Sequence, residues 1–160
     1  MYTLTNYTAT NYGYSTGSWG DLLTNYNGTA ITYDSIGNPT KWRGISSLTW
    51  NGRKLTHASL SSGDFIDYSY NNDGLRTQKS FFDDVTSETT THKYLLDGST
   101  IVKETVTGSS NYTLNYFYDE SGVTAFDYNG TRYYYVKNLQ GDIIVMINIQ
   151  KKQKYVAIRI

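Results

Sequence analysis

His57 and His92 are the only histidines in the chain. Imidazole titrates nearest neutrality, so these are the first places to look for a general base or a metal ligand. Acid–base work needs a positioned partner, and neither residue sits in a motif that supplies one. His57 follows Lys54-Leu55-Thr56. His92 takes a slot where other parts of the chain carry Ile, Leu or Tyr, so it is expected on a sheet face. The carboxylates include Asp64, Asp67, Asp73, Asp83, Asp84, Asp119 and Glu120. Two of them facing across a groove would make a hydrolase of the glycosidase kind, with Asp64 and Asp67 the pair to test. The stretch from Asp64 to Asp73 lacks the ligand rhythm and closing Glu of a calcium loop. Gly-Ser-Trp-Gly (17–20) and Thr-Gly-Ser-Ser-Asn (107–111) lack the Lys and the strand-to-helix setting of a phosphate loop. There is no cysteine, which removes disulfides, thiol catalysis and thiolate metal sites. The expectation is therefore no catalytic residue, no metal ligand and no cofactor.

What would position such residues is a sheet. The chain holds 17 Tyr against 5 Phe and 3 Trp. Thr, Ser, Asn and Gly are abundant too, a palette that suits a pleated, half-wet surface better than helices. Tyr brings apolar area plus a hydroxyl that reaches water or a partner. Fourteen acidic and fourteen basic residues cancel, leaving no electrostatic footprint for nucleic acid and no polybasic patch for a membrane. No apolar run reaches the ~18 residues of a membrane helix. The start, MYTLTNYTAT, shows no basic region followed by an apolar core, so no signal peptide is visible.

The clearest local signal is ITYDSIGNPTKW, residues 31–42. Ile31 and Tyr33 share one face of an extended arm. Asp34 can start a turn by bonding the backbone two residues on, and Gly37 supplies positive φ. Pro39, the only proline, fixes the exit into a second arm. The same spacing recurs. The aromatic anchors are Tyr33, Trp50, Tyr70, Tyr94, Tyr118 and Tyr135. Two residues before them stand Ile31, Leu48, Tyr68, His92, Tyr116 and Tyr133. The closing glycines are Gly37, Gly52, Gly74, Gly98, Gly122 and Gly141, with Asp34, Asn71, Asp119 and Asn138 three residues ahead of theirs. Leu95 departs from the code before Gly98, and Asn51-Gly52 is a shortened turn. Asn27-Gly28 and Asn129-Gly130 are further hairpin signals.

These spacings predict an all-β chain of consecutive antiparallel hairpins whose units stack, because one hairpin alone is barely stable in water. Residues 1–20 read as a Tyr-, Thr- and Gly-rich segment that is partly strand, with Tyr12 and Tyr14 alternating and Trp19 after a Gly-Ser stretch. Residues 21–148 hold the repeats. Residues 81–92 read as a polar connection and 107–112 as a loop. The tail 149–160 loses the turn code, as a truncation or a change of reading frame would leave it. The Tyr rows are read first as the stacking face of the repeat, and second as a surface for carbohydrate or a cell-surface partner. Open sheet edges predict self-association of the isolated chain.

The linked segments TNYNGTAITYDSIGNPTKW (24–42), LTWNGRKL (48–55), YSYNNDGLRTQKS (68–80), YFYDESG (116–122) and YYYVKNLQGD (133–142) resemble YD-repeat proteins. That family comprises the bacterial Rhs proteins and related shells of insecticidal toxin complexes and teneurins. The resemblance implies a curved strip of hairpins spiralling into a hollow β-shell, secreted or at the cell surface. Its partners would be other YD repeats or a fused, encapsulated toxin. The Asp-Pro motif linked to self-cleavage in that family is not in this sequence, and no toxin domain is recognisable. Cleavage and toxicity are therefore not carried over.

Overall fold

The computed structural model describes residues 9–17 and 20–156, the last four as backbone alone. Met1 to Thr8, Trp19 and the end of the tail lie outside the described residues. Every regular element among them is a strand. Contacts divide the chain into two units, Met1–Phe65 and Ile66–Ile160. That boundary falls inside the segment 21–148 that the turn code treats as continuous.

The first unit opens with a small antiparallel sheet of β1 (Tyr12–Tyr14), β2 (Leu23–Tyr26) and β3 (Thr29–Ala30). Asn27 and Gly28 turn β2 into β3 at φ of 48° and 82°, the positive values that a two-residue hairpin loop demands. Then comes ITYDSIGNPTKW. Its turn forms as expected, but its arms do not become strands. Tyr33 and Pro39 make one isolated bridge, and Thr40 N–H donates to the Thr32 carbonyl at 2.7 Å. The proline removes a ladder donor just where pairing would propagate. The hairpin of β4 (Ile45–Asn51) and β5 (Lys54–Leu60) follows. Leu48 N–H donates to the Thr40 carbonyl at 2.8 Å, tying that hairpin to the preceding turn. Ile31 and Ala58 are the buried apolar residues here.

From β6 (Phe65–Tyr70) onward the strands lie side by side in chain order. They are β7 (Arg76–Asp83), β8 (Glu88–Asp97), β9 (Thr100–Thr107), β10 (Tyr112–Asp119), β11 (Gly122–Tyr128), β12 (Thr131–Lys137), β13 (Ile143–Asn148) and β14 (Gln153–Val156). The register of β7 through β14 is antiparallel throughout. Alternation of direction sends every second turn to the same rim. The turns carrying Gly74, Gly98, Gly122 and Gly141 therefore share one rim, and the connections at 84–87, 108–111, 129–130 and 149–152 share the other. Among the described side chains the buried apolar residues are Val106, Ala125 and Val145, in β9, β11 and β13. With so little fully buried, cohesion rests on ladder bonds and on half-buried aromatic pairs.

Two stretches correct the reading from sequence. Residues 81–92 are not a connection. Phe81 to Asp83 end β7, Glu88 to His92 begin β8, and only 84–87 turn. Thr-rich segments suit a strand as well as a loop, and cross-strand Thr pairing decided it. The tail does not abandon the hairpin plan either. Asn148 accepts the Lys151 N–H on its Oδ1 at 2.8 Å, Lys152 takes φ 50°, and β14 returns along β13. Asn replaces the usual Gly-closed code there.

Candidate functional site

The turns are the most regular feature, and they fall into two kinds. In the first, a residue's N–H donates to the carbonyl four positions on, and a glycine N–H three positions on donates back. Asp34, Asn71 and Asn138 share this frame, with back-bonds from Gly37, Gly74 and Gly141 at 3.1, 3.0 and 3.0 Å. Each also captures the N–H four residues on with its side-chain Oδ1: Asn38 at 2.8 Å, Leu75 at 2.9 Å and Asp142 at 2.9 Å. One side-chain oxygen thus occupies a donor that the ladder leaves over. A fourth turn with the same backbone runs from Leu60 to Asp64 through Gly63, whose N–H bonds Leu60 at 3.2 Å. Leu60 has no side-chain acceptor, so the sequence code passed over this turn; Ser61-Ser62-Gly63 was its only signal.

The second kind corrects the grouping of Asp119 with Asp34. Asp119 pairs directly with Gly122 across a two-residue loop, just as Asn51 pairs with Lys54 and Asp97 with Thr100. Val123, four residues beyond Asp119, already lies in the ladder, in register with Tyr118. Asp119 bonds Ser121 instead, through N–H and Oγ, both at 2.7 Å. The two units that departed from the code are thus typical of a class, and Asp119 belongs with them. All three hairpins carry one extra residue on the returning strand: Thr56, Val102 or Thr124. The hydroxyls of Thr56 and Thr124 donate to Thr49 and Phe117 carbonyls, both at 3.1 Å. Thr24 does the same to Gly13 at the bulge of β1 and β2, at 3.3 Å. These threonines occupy groups that a bulge leaves unpaired.

Three of the six anchors stitch consecutive units. Tyr33 OH donates to the Leu23 carbonyl at 2.5 Å, Trp50 Nε1–H to the Pro39 carbonyl at 2.7 Å, and Tyr118 OH to the Ile101 carbonyl at 2.7 Å. Trp stands in for Tyr because both end in a donor. Tyr94 and Tyr135 lie half-buried on the sheet, where burial pushes both phenols up from their ordinary value; the Glu104 charge adds to this at Tyr94 and Tyr118 at Tyr135. Tyr135 lies against Phe126, ring centres 5.3 Å apart, and Phe126 stacks on Tyr133 at 5.1 Å. Tyr70 ends β6, with the Arg76 guanidinium 6.0 Å from its ring.

A dense cluster of titratable groups among the described residues centres on Glu104, which sequence reasoning did not select. It lies on β9, paired with Tyr94 of β8 and Leu114 of β10. Its Oε1 is 2.5 Å from His92 Nδ1, and its Oε2 accepts the Tyr116 OH at 3.0 Å. A carboxylate only accepts, so the proton in the first contact sits on Nδ1. Burial, then the bond to Glu104 and its charge, push Tyr116 far above the ordinary phenol value, and Tyr112 rises for burial and the same charge. His92 is on the face, as expected, and it does have a partner, twelve residues on and so invisible to local motif reading. Both carboxylate oxygens are engaged within the sheet.

The remaining candidates are dispersed. His57 Nε2 lies 2.7 Å from Ser59 Oγ, and its ring is 5.6 Å from Phe65. Asp64 closes the Leu60 turn and accepts the Ser62 hydroxyl at 2.7 Å. Asp67 lies within β6. Asp83 caps the 84–87 turn through the Thr86 N–H at 3.0 Å. Among the described residues, no group of three His, Cys, Asp or Glu could hold a metal ion.

No family model matches the chain. It is similar to the tRNA3(Ser)-specific nuclease WapA of Bacillus spizizenii, at 32% identity over 129 residues. The match takes in 78% of this chain and 5% of that protein. The chain thus spans about one-twentieth of the relative's length, and the aligned length exceeds either structural unit taken alone.

Sequence reasoning also missed a repeated clamp. Tyr-Asn-Gly-Thr occurs at 26–29 and again at 128–131. In each copy the Asn holds a backbone on the neighbouring segment. Asn27 takes the Asn11 N–H on Oδ1 at 2.7 Å and gives its own N–H to the Asn11 carbonyl at 2.8 Å. Asn129 does the same with Thr113, at 2.8 and 2.9 Å. An aromatic pair accompanies each, Tyr12 with Tyr26 and Tyr112 with Tyr128, centres 5.5 and 5.3 Å apart. The identical tetrapeptides were the available signal.

Proposed function

We propose that this chain is a wall segment of a YD-repeat shell, and that its work is confinement of a cargo by continuous hairpin sheet. The observation that carries this reading is the strict chain order of β6 to β14, each new hairpin laid against the last. The anchors that bond the preceding unit, and glycine-closed turns recurring 24 residues apart at 74, 98 and 122, support it. Such an array has no intrinsic end, so it extends by adding units. A relative about twenty times longer than the matched stretch, and named as a nuclease, fits a division of labour in which the enzymatic part lies elsewhere. The cargo of this wall would then be a toxic enzyme, of which a nuclease is the first candidate.

Two measurements test the proposal. Native-state trypsin digestion should leave 66–80 and 114–136 intact, since their Lys and Arg lie in a paired ladder. The coding sequence on both sides should continue the glycine-closed turns at the same spacing and reach a separate cargo region. Ready cleavage in both segments, or flanks without further units, overturns the wall reading.

A further inference from the structure

We propose that the shelf formed by Tyr26, Trp42 and Arg43 in the first unit is a binding site for an acidic sugar, a pyranose ring bearing a carboxylate. The proposal is independent of the wall reading and begins with a strained residue. Trp42 and Ile45 exchange both backbone bonds, at 3.2 and 2.8 Å, closing a tight turn over Arg43 and Gly44. Arg43 takes φ 49°, in the left-handed region. A residue with a Cβ pays roughly 1 kcal/mol there, and such strain gathers where a side chain must be held for a task.

The turn lays the guanidinium on aromatic rings. Its central carbon is 4.6 Å from the Tyr26 ring centre and 5.9 Å from that of Trp42, and one N–H donates to the Tyr26 hydroxyl at 3.0 Å. The Tyr26 and Trp42 rings are themselves 5.5 Å apart. The adjoining groove holds about 210 Å³ and is lined by Tyr26, Asn27, Thr29, Ile31, Trp42 and Arg43. That is the room of about seven waters, the scale of one sugar ring with its hydroxyls.

The chemistry of the lining selects the ligand. The Trp42 ring in the lining offers an apolar face to the C–H face of a pyranose. Asn27 and Thr29 offer amide and hydroxyl groups at the rim. Arg43 is the only charged lining residue, and of its five N–H donors one goes to Tyr26. The planar fork matches a carboxylate in bidentate fashion, and the ring beneath it holds the fork flat. A neutral sugar would leave that fork unanswered.

Isothermal titration of the whole chain with a tetragalacturonate, a neutral gluco-oligosaccharide and glucose 6-phosphate tests the assignment. The uronate should bind at least tenfold more tightly than the neutral sugar, and more tightly than the phosphate. Arg43→Gly accommodates the turn's positive φ and removes the fork, and it should lower uronate affinity at least tenfold. Arg43→Lys, which keeps the charge and loses the fork, should fall between. Equal binding of uronate and neutral sugar, preference for the phosphate, undiminished uronate binding by Arg43→Gly, or no heat from the uronate would each overturn the proposal.

Discussion

At Glu104, side chains from β8, β9 and β10 converge on one half-buried carboxylate. Removing water from a charge costs several kcal/mol unless the lost bonds are replaced, and here His92 and Tyr116 replace them. Tyr116→Phe keeps the ring and removes one donor. It should lower stability by about 2 kcal/mol in urea denaturation, because a bond to a charged group is lost from a site that water reaches poorly. A loss near zero would mean that water enters freely and that the cluster does not brace the strands. The anchors pose the same question in simpler form. Trp50→Phe removes the bond to the Pro39 carbonyl but leaves an aromatic ring, and it should cost about 1 kcal/mol plus lost area. Trp50→Tyr, which keeps a donor, should recover part of that cost. If Phe and Tyr behave alike at position 50, the anchor acts by area alone and the stitching bond contributes nothing.

Among the elements, the connection from β9 to β10 is tightly constrained. A Cβ built on Gly108 would lie 1.8 Å from the Thr89 carbonyl oxygen and 2.9 Å from its carbon, and Gly108 has φ 113°. Backbone cannot yield as a long side chain can. Gly108→Ala should therefore cost ~3 kcal/mol or more, among the largest single effects in the chain. Gly130→Ala meets open space and pays only for its φ of 82°, roughly 1 kcal/mol. Comparing the two urea midpoints checks the packing of this connection on β8; equal losses would show that the two strands are further apart. The contrast also marks what the sequence made legible. Turn chemistry is local, so the hairpin plan and the positive-φ glycines other than Gly63 and Gly108 could be read from Asp, Asn and Gly spacing. The two frames behind one spacing could not, because the spacing does not say whether the residue four on joins a strand, as Val123 does and Asn38 does not. Glu104 with His92, and Gly108 against Thr89, stayed hidden for a related reason: each joins residues a dozen or more positions apart, and only strand register brings them together.

Over the molecule as a whole, the distribution of titratable groups sets a window of stability. Tyr94, Tyr112, Tyr116 and Tyr135 lie along the sheet of the second unit, and burial raises all four from the ordinary value of 10.0. A raised phenol in the fold means that the native sheet holds its protons more tightly than the unfolded chain does. Above pH ~10 the unfolded state binds fewer protons than the native state, so stability falls as pH rises. The contribution is fully present below the unfolded value and is lost as pH climbs through the folded ones. At the acid end the sign reverses. Asp119 is held below its ordinary 3.8 by Ser121, and Asp127 by Arg132. Asp34 is pushed up by burial, but bonds from Asn38 and Ile36 outweigh that and leave it low. Their contribution is present above pH ~4 and fades below it, and because Asp119 is exposed and Asp34 and Asp127 are only partly buried it is the weaker limit. Urea midpoints from pH ~3 to ~11 should therefore trace a plateau with a shallow acid shoulder and a steep alkaline fall. Tyrosinate absorbance should show a class of tyrosines that ionises only with that fall, and Tyr116→Phe should flatten it. Smooth titration of all 17 tyrosines near pH 10 with the urea midpoint unchanged would contradict the half-buried aromatic face on which the packing argument rests.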